Sequence, residues 1–164
     1  MRISFLGFLV FVAMACSDNG ILNPPPPPEI PISQLQASPD TILVEGRRLY
    51  LTTYLWRDFQ PFSPPDGKPL ISLVYITAID TTQLPESITS DAVWIVYNDQ
   101  VWRSWFTNEP GGPSELKPYL IVKIAREGPK WGPNVSVDVI VRVTDGRGNS
   151  QFLRAPNQPI HMTI

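Results

Sequence analysis

Cys16 is the only cysteine in the 164-residue chain, and a lone thiol can be acylated, alkylated or left free, but it cannot form an internal disulfide. His161 is likewise the only histidine, three residues from the end, too isolated in sequence for a metal cluster or a serine–histidine–carboxylate relay. Ser114-Glu115-Leu116-Lys117 has the S-x-x-K spacing of an activated serine, and Ser17-Asp18-Asn19 the S-D-N triplet. Pro113 and Pro118 bracket the first, so it belongs to a loop and not to the helix that chemistry requires. The second precedes the supposed nucleophile, and no K-T-G completes the set. Asp145-Gly146-Arg147-Gly148-Asn149 lacks the alternating acids and closing glutamate of a calcium loop, and reads as a hairpin turn. Asn134-Val135-Ser136 is a glycosylation sequon in form only, because Val135 opens a strand. No catalytic residue, metal site or cofactor is expected, and the chain reads as a non-enzyme.

The aromatic residues are the stronger lead. The chain has five tryptophans. Trp94, amid Val93, Ile95 and Val96, is the candidate for the core between two sheets. Trp102 and Trp105 differ by three positions, so a strand sends them to opposite faces. Trp131 sits in the loop Gly128-Pro129-Lys130-Trp131-Gly132-Pro133, either as a contact hot spot or folded back over the domain end. Tyr50, Tyr54 and Trp56 share one strand face. That face is either a platform for a sugar ring or a protein, or a packed face; the expectation is that residues 58–69 cover it, pinned by Phe59 and Phe62.

The N-terminus places these residues in a cell. Arg2 precedes an apolar stretch over residues 3–13, the length of a secretory signal and too short for the roughly 20 residues of a membrane span. Ala13-Met14-Ala15-Cys16 then resembles the lipobox of bacterial lipoproteins, although that family usually carries Leu where Ala13 stands. The resemblance covers residues 1–16. It implies cleavage before Cys16, lipid on its sulfur, and attachment to a bacterial envelope membrane. Ser17 in place of an aspartate leans the destination towards the outer membrane. The alternative is an ordinary secretory signal that leaves Cys16 as a free thiol. Each buried lipid methylene contributes about 0.8 kcal/mol, so two or three acyl chains anchor stably.

Residues 1–15 are therefore read as a lipoprotein signal peptide, 16–39 as a lipid-anchored proline-rich tether, and 40–164 as one domain. Pro24 to Pro28 form an unbroken run that imposes polyproline II. Such a run can serve as a ligand for aromatic grooves, or as a stalk; beside an anchor the stalk is expected. Without Arg2 the chain keeps 12 of its 13 basic residues against 15 acidic ones, so no basic stripe exists to bind nucleic acid.

Period-two alternation runs through the domain. Residues 135–144 place five valines on one face. Residues 119–126 are read with Leu120, Val122 and Ile124 inward and Lys123 outward. Leu49, Leu51 and Leu55 oppose Tyr50, Tyr54 and Trp56, and residues 70–79 are apolar on both faces. Asn98-Asp99 marks a tight hairpin, while 151–154 and 160–163 read as separate strands. The fold expected is all-β, a single antiparallel β-sandwich of about seven to nine strands, resembling the immunoglobulin-like or fibronectin-like class in layout. With no cysteine inside the domain, its stability must come from the core.

The function expected is a lipid-anchored envelope protein whose sandwich contacts a protein partner. The alternative is a carbohydrate-binding module using exposed Trp and Tyr rings. Coplanar, solvent-facing aromatics beside polar groups would suit a sugar, and an open apolar patch would suit a protein.

Overall fold

The structure, a computed structural model, describes residues 24–109 and 117–164. Cys16, the signal segment, the first part of the tether and residues 114–116 of the S-x-x-K motif lie outside the described residues. Among the described residues eight strands follow one short helix: α1 (Ile32–Gln36), β1 (Thr41–Val44), β2 (Arg47–Asp58), β3 (Leu70–Ala78), β4 (Thr89–Tyr97), β5 (Gln100–Trp105), β6 (Leu120–Gly128), β7 (Ser136–Thr144) and β8 (Ser150–Thr163). The alternating apolar residues dictate the strands. Two-residue turns join β1 to β2 and β4 to β5, with Glu45, Gly46 and Asn98 at φ 47°, 76° and 52°, the positive values such hairpins need.

The strand order is β5-β4-β7-β8-β2-β3-β6, with β1 also paired to β2. The sheet curls into two leaves, β5-β4-β7 and β2-β3-β6, and β8 serves both. Its first part pairs antiparallel with β7, and its end runs parallel to β2, with Leu55 opposite Ile160 and Asp58 opposite Thr163. The fold is thus all-β and sandwich-like, as expected, but mixed and not purely antiparallel. The two short strands expected at 151–154 and 160–163 are one. Pro156 lacks a ladder donor and Asn157 takes φ 54°, so the pairing slips between Val137 and Val139 and β8 turns from one leaf to the other. At the far edges Thr107 N–H donates to Ile124 O at 2.8 Å, which draws the end of β5 towards β6.

Between the leaves lies the main core, including Leu49, Leu55, Val74, Ile76, Val93, Val139, Leu153 and Ile160. Full burial of one such side chain stabilises the fold by about 1.5–3 kcal/mol. A second cluster forms on the outside of the β5-β4-β7 leaf, from Leu35, Ala92, Trp94, Val96 and Ile140. Strand β4 is therefore buried on both faces. Trp94 is fully buried, but under the N-terminal arm and not between the sheets, because its parity matches Ala92 and Val96.

Strand β6 also departs from expectation. Its register sets Ile121 opposite Ile76 and Ala125 opposite Ser72 on the core side, so Leu120, Val122 and Ile124 take the other face, Ile124 still buried there, and Lys123 pairs with core-facing Val74. Lys123 holds that half-buried place on an edge strand because a long aliphatic stem can lie along apolar surface while its ammonium reaches water.

Candidate functional site

Residues 24–39 do not stand clear of the domain where the structure describes them. They form an arm across the outside of the β5-β4-β7 leaf. Proline fixes φ near −65° and holds its predecessor extended, so consecutive prolines adopt a helix with three residues per turn and no internal hydrogen bonds. Every main-chain carbonyl in such a run is free to accept. Trp105 Nε1 donates to Pro25 O at 2.6 Å and Trp94 Nε1 to Pro28 O at 3.1 Å. The two carbonyls are one helical turn apart. On the same period Pro27 is buried and Ile30 packs into the second cluster.

The C-terminal part of the arm is held differently. Pro31 ends the extended run and opens α1, whose Leu35 is wholly buried. Arg154 Nη1 donates to Gln36 O at 2.5 Å, and Arg154 N–H to Pro39 O at 2.8 Å. From Pro39 backwards the arm meets β8, β7, β4 and β5 in turn.

Arg142 forms the floor of the groove. Its guanidinium lies 5.9 Å from the Trp94 ring and 5.4 Å from the Trp105 ring. Two hydrogen bonds of 2.9 and 2.7 Å to the Asp91 carboxylate fix it in place and raise its pKa. Phe152 meets Trp94 edge-on at 5.3 Å, and Arg103 reaches Glu29 on the arm at 3.3 Å. Beside the arm is an open depression of about 600 Å³, lined by Glu29, Ile32, Trp94, Asp99, Val101 and Arg103 among others.

The opposite leaf presents a different surface. Tyr50 and Tyr54 on β2 are 37% and 42% exposed, and Trp56 is half-buried beside them. Tyr54 lies 5.3 Å from Trp56 with the rings tilted 34°, and stacks on His161 at 5.1 Å and 18°. Ile71, Leu73 and Tyr75 of β3 and Leu120 and Val122 of β6 continue the same face. Among the described residues none of these belongs to either packed cluster. Strand β3 is apolar on both sides because its outer side is part of this patch.

The expected cover, residues 58–69, folds to the end of the domain instead. Arg57, 2% exposed, holds it there. Its guanidinium donates to Lys68 O (3.0 Å), Lys130 O (3.0 Å), Gly132 O (2.6 Å) and Asp66 O. Burial lowers the Arg57 pKa, and the nearby charge of Asp66 opposes that shift. Phe59 lies under the guanidinium at 5.0 Å, so it does pin the segment. Phe62, expected to do the same, is 101% exposed.

The remaining tryptophans pack against the domain. Trp131 folds back over the domain end, with its indole N–H on Gln100 Oε1 at 2.8 Å and its ring 5.5 Å from Tyr97. Trp102 packs on the main core and Trp105 on the second cluster, opposite faces as their spacing requires. Of the six aromatics singled out in the sequence, Tyr50, Tyr54 and Trp56 share the open face, Trp105 lines the groove, and Trp102 and Trp131 join neither. Sequence reasoning missed Arg57 and Arg142. Arg142 was visible, with Asp138, as one of two charges on a strand of valines, but no sequence signal marked Arg57.

Among the described residues no group of three or more His, Cys, Asp or Glu side chains could hold a metal ion, and no helix is long and apolar enough to cross a membrane. No protein-family model, no curated protein and no solved structure matches this chain.

Proposed function

We propose that the chain is a lipid-anchored protein of a bacterial cell envelope, attached through Cys16, whose β-domain is non-enzymatic and contacts a protein partner through the open face of the β2-β3-β6 leaf. One observation carries the partner reading. Among the described residues, the outside of one leaf is covered by the chain's own arm, while on the outside of the other Tyr50 and Tyr54 are exposed, Trp56, Ile71, Leu73 and Tyr75 are half-buried, and none of the six packs into either cluster. Three strands about 4.8 Å apart and seven residues long present a face of a few hundred Å², the size of a monomer's largest apolar patch, which is often functional. Exposed Tyr50 and Tyr54 with half-buried Trp56 along its β2 side suit a contact hot spot.

The docked arm adds a geometric consequence. From Cys16 to Pro24 is eight residue steps, so the chain between them spans at most about 29 Å. The domain would sit close to the bilayer, not on a long stalk.

The test places a photo-crosslinking residue at Leu73 or Tyr75 in the full-length protein in native envelopes, with Arg147 as control. Discrete adducts from the face positions and none from Arg147 are expected. Absence of face adducts, together with saccharide binding by the protein that is lost in Tyr54→Ala, would replace this reading by carbohydrate binding through the exposed rings. The anchor is tested separately: a fatty-acid probe should label the wild-type chain and miss Cys16→Ala.

A further inference from the structure

We propose that the outside of the β5-β4-β7 leaf is a polyproline-binding groove, whose resident ligand is the chain's own residues 24–31 and which accepts an equivalent proline-rich segment in trans when the arm is withdrawn. The inference is independent of the anchor and of the open face.

The contacts are those of ligand recognition and not of a sheet. The arm adds no strand to the ladder, and it is read by side-chain donors. Two indole N–H groups on neighbouring strands address carbonyls three residues apart, at Pro25 and Pro28. Three residues are one turn of polyproline II, about 9.3 Å, so the donor spacing matches this helix. Flat aromatic walls and free carbonyls along a rigid helix are the chemistry by which proline-rich peptides are bound, because the ligand loses little conformational entropy on docking.

The arm also divides into two parts. Pro24 to Pro26, Pro28 and Glu29 are exposed, and only Pro27 of the proline run is buried, so this part lies shallowly on the surface. The part beyond Pro31 is clamped by buried Leu35 and by Arg154. The proline run can therefore leave the groove while α1 stays in place. The attached arm competes at a millimolar effective concentration, so a trans ligand binds measurably only when the cis contact is weakened.

The test uses ¹⁵N-labelled chain from residue 16 onward carrying Cys16→Ala, whose five indole N–H signals are assigned by single Trp→Phe variants. In Pro25→Gly/Pro28→Gly, the Trp94 and Trp105 signals should move while those of Trp56, Trp102 and Trp131 stay. A synthetic peptide with the sequence of residues 24–32 should then return the two signals saturably towards their wild-type positions, and a scrambled peptide of the same composition should do so at least threefold less effectively. Unmoved Trp94 and Trp105 signals in the variant, or failure of the peptide to restore them, would overturn the proposal. If the variant loses its Trp131 signal and so its fold, the same titration is read on Glu29→Arg. That change makes the contact with Arg103 repulsive and leaves the sheet untouched, and the same two outcomes decide.

Discussion

Trp94 and Trp105 flank the guanidinium of Arg142 from neighbouring strands, and each indole donates its N–H to a proline carbonyl of the arm. The two bonds differ in setting. Trp94 is fully buried, whereas the Trp105 bond is exposed to water. Removing the Trp94 donor leaves Pro28 O short of a partner and opens space in the cluster. Trp94→Phe should therefore lower stability by about 1–3 kcal/mol, and Trp105→Phe by less than about 1 kcal/mol, since water can replace its bond. Urea unfolding of the two variants checks the order, and equal losses would contradict it.

Arg57 ties two loops to the end of β2 through four main-chain carbonyls. Arg57→Met keeps much of the stem but removes the donors from those four acceptors, whose bonds are partly buried. A loss of about 1–3 kcal/mol is expected, the cost of partly buried acceptors left without their donor. Limited proteolysis should then cut first within residues 58–69 or 129–133. Cleavage elsewhere, with the wild-type midpoint retained, would show that the arginine does not hold these loops.

The strands were legible because alternation records which face each residue takes. Leu49, Leu51 and Leu55 and the valines of β7 lie as their spacing demands. What alternation cannot record is what covers a face. Trp94 reads as core from its neighbours alone, and only the register of β4 shows that it packs under the arm. Strand β6 is apolar on both faces, so its single lysine was a poor guide to orientation. The polyproline run declared its own conformation, but its docking depends on two indoles 66 and 80 residues away. The Arg57 contacts to Lys130 and Gly132 span 73 and 75 residues and end on carbonyls, which every residue has, so no residue type announces them.

Acid should loosen the domain ends. The Asp58 carboxyl is held below the ordinary range by Lys68, Asp66 by Lys130, Glu109 by Arg126, and Asp145 by Asn149 within the β7–β8 turn. Each group binds its proton less readily folded than unfolded. The stabilisation is thus fully present above about pH 4 and is lost as pH falls through the lower folded values. Thermal midpoints followed by circular dichroism should be level from pH 7 to about 5 and decline below pH 4. A midpoint that rises on acidification would contradict the assignment.

Ser72 is fully buried opposite Ala125 and Leu55, and its hydroxyl has no hydrogen-bond partner. A desolvated hydroxyl without a partner costs free energy that alanine does not. Ser72→Ala should leave stability unchanged or raise it by up to about 1 kcal/mol. Destabilisation beyond 1 kcal/mol in urea unfolding would mean the hydroxyl has a partner after all.

Leu73 and Leu55 separate the role of the open face from that of the core. Both lie mid-strand on paired neighbours, Tyr54 opposite Leu73 and Leu55 opposite Ser72. Leu55 is fully buried between the leaves, and truncating it to alanine should cost about 2–5 kcal/mol. Leu73 belongs to neither cluster and is half-buried, so Leu73→Asp should cost about 1–2 kcal/mol, part of what a fully buried leucine contributes. The same charge placed at the centre of the patch should abolish crosslinking from Tyr75, because an unpaired carboxylate would be buried against the partner. A Leu73→Asp chain that folds with near-wild-type stability and still crosslinks from Tyr75 would remove the β2-β3-β6 face from the contact.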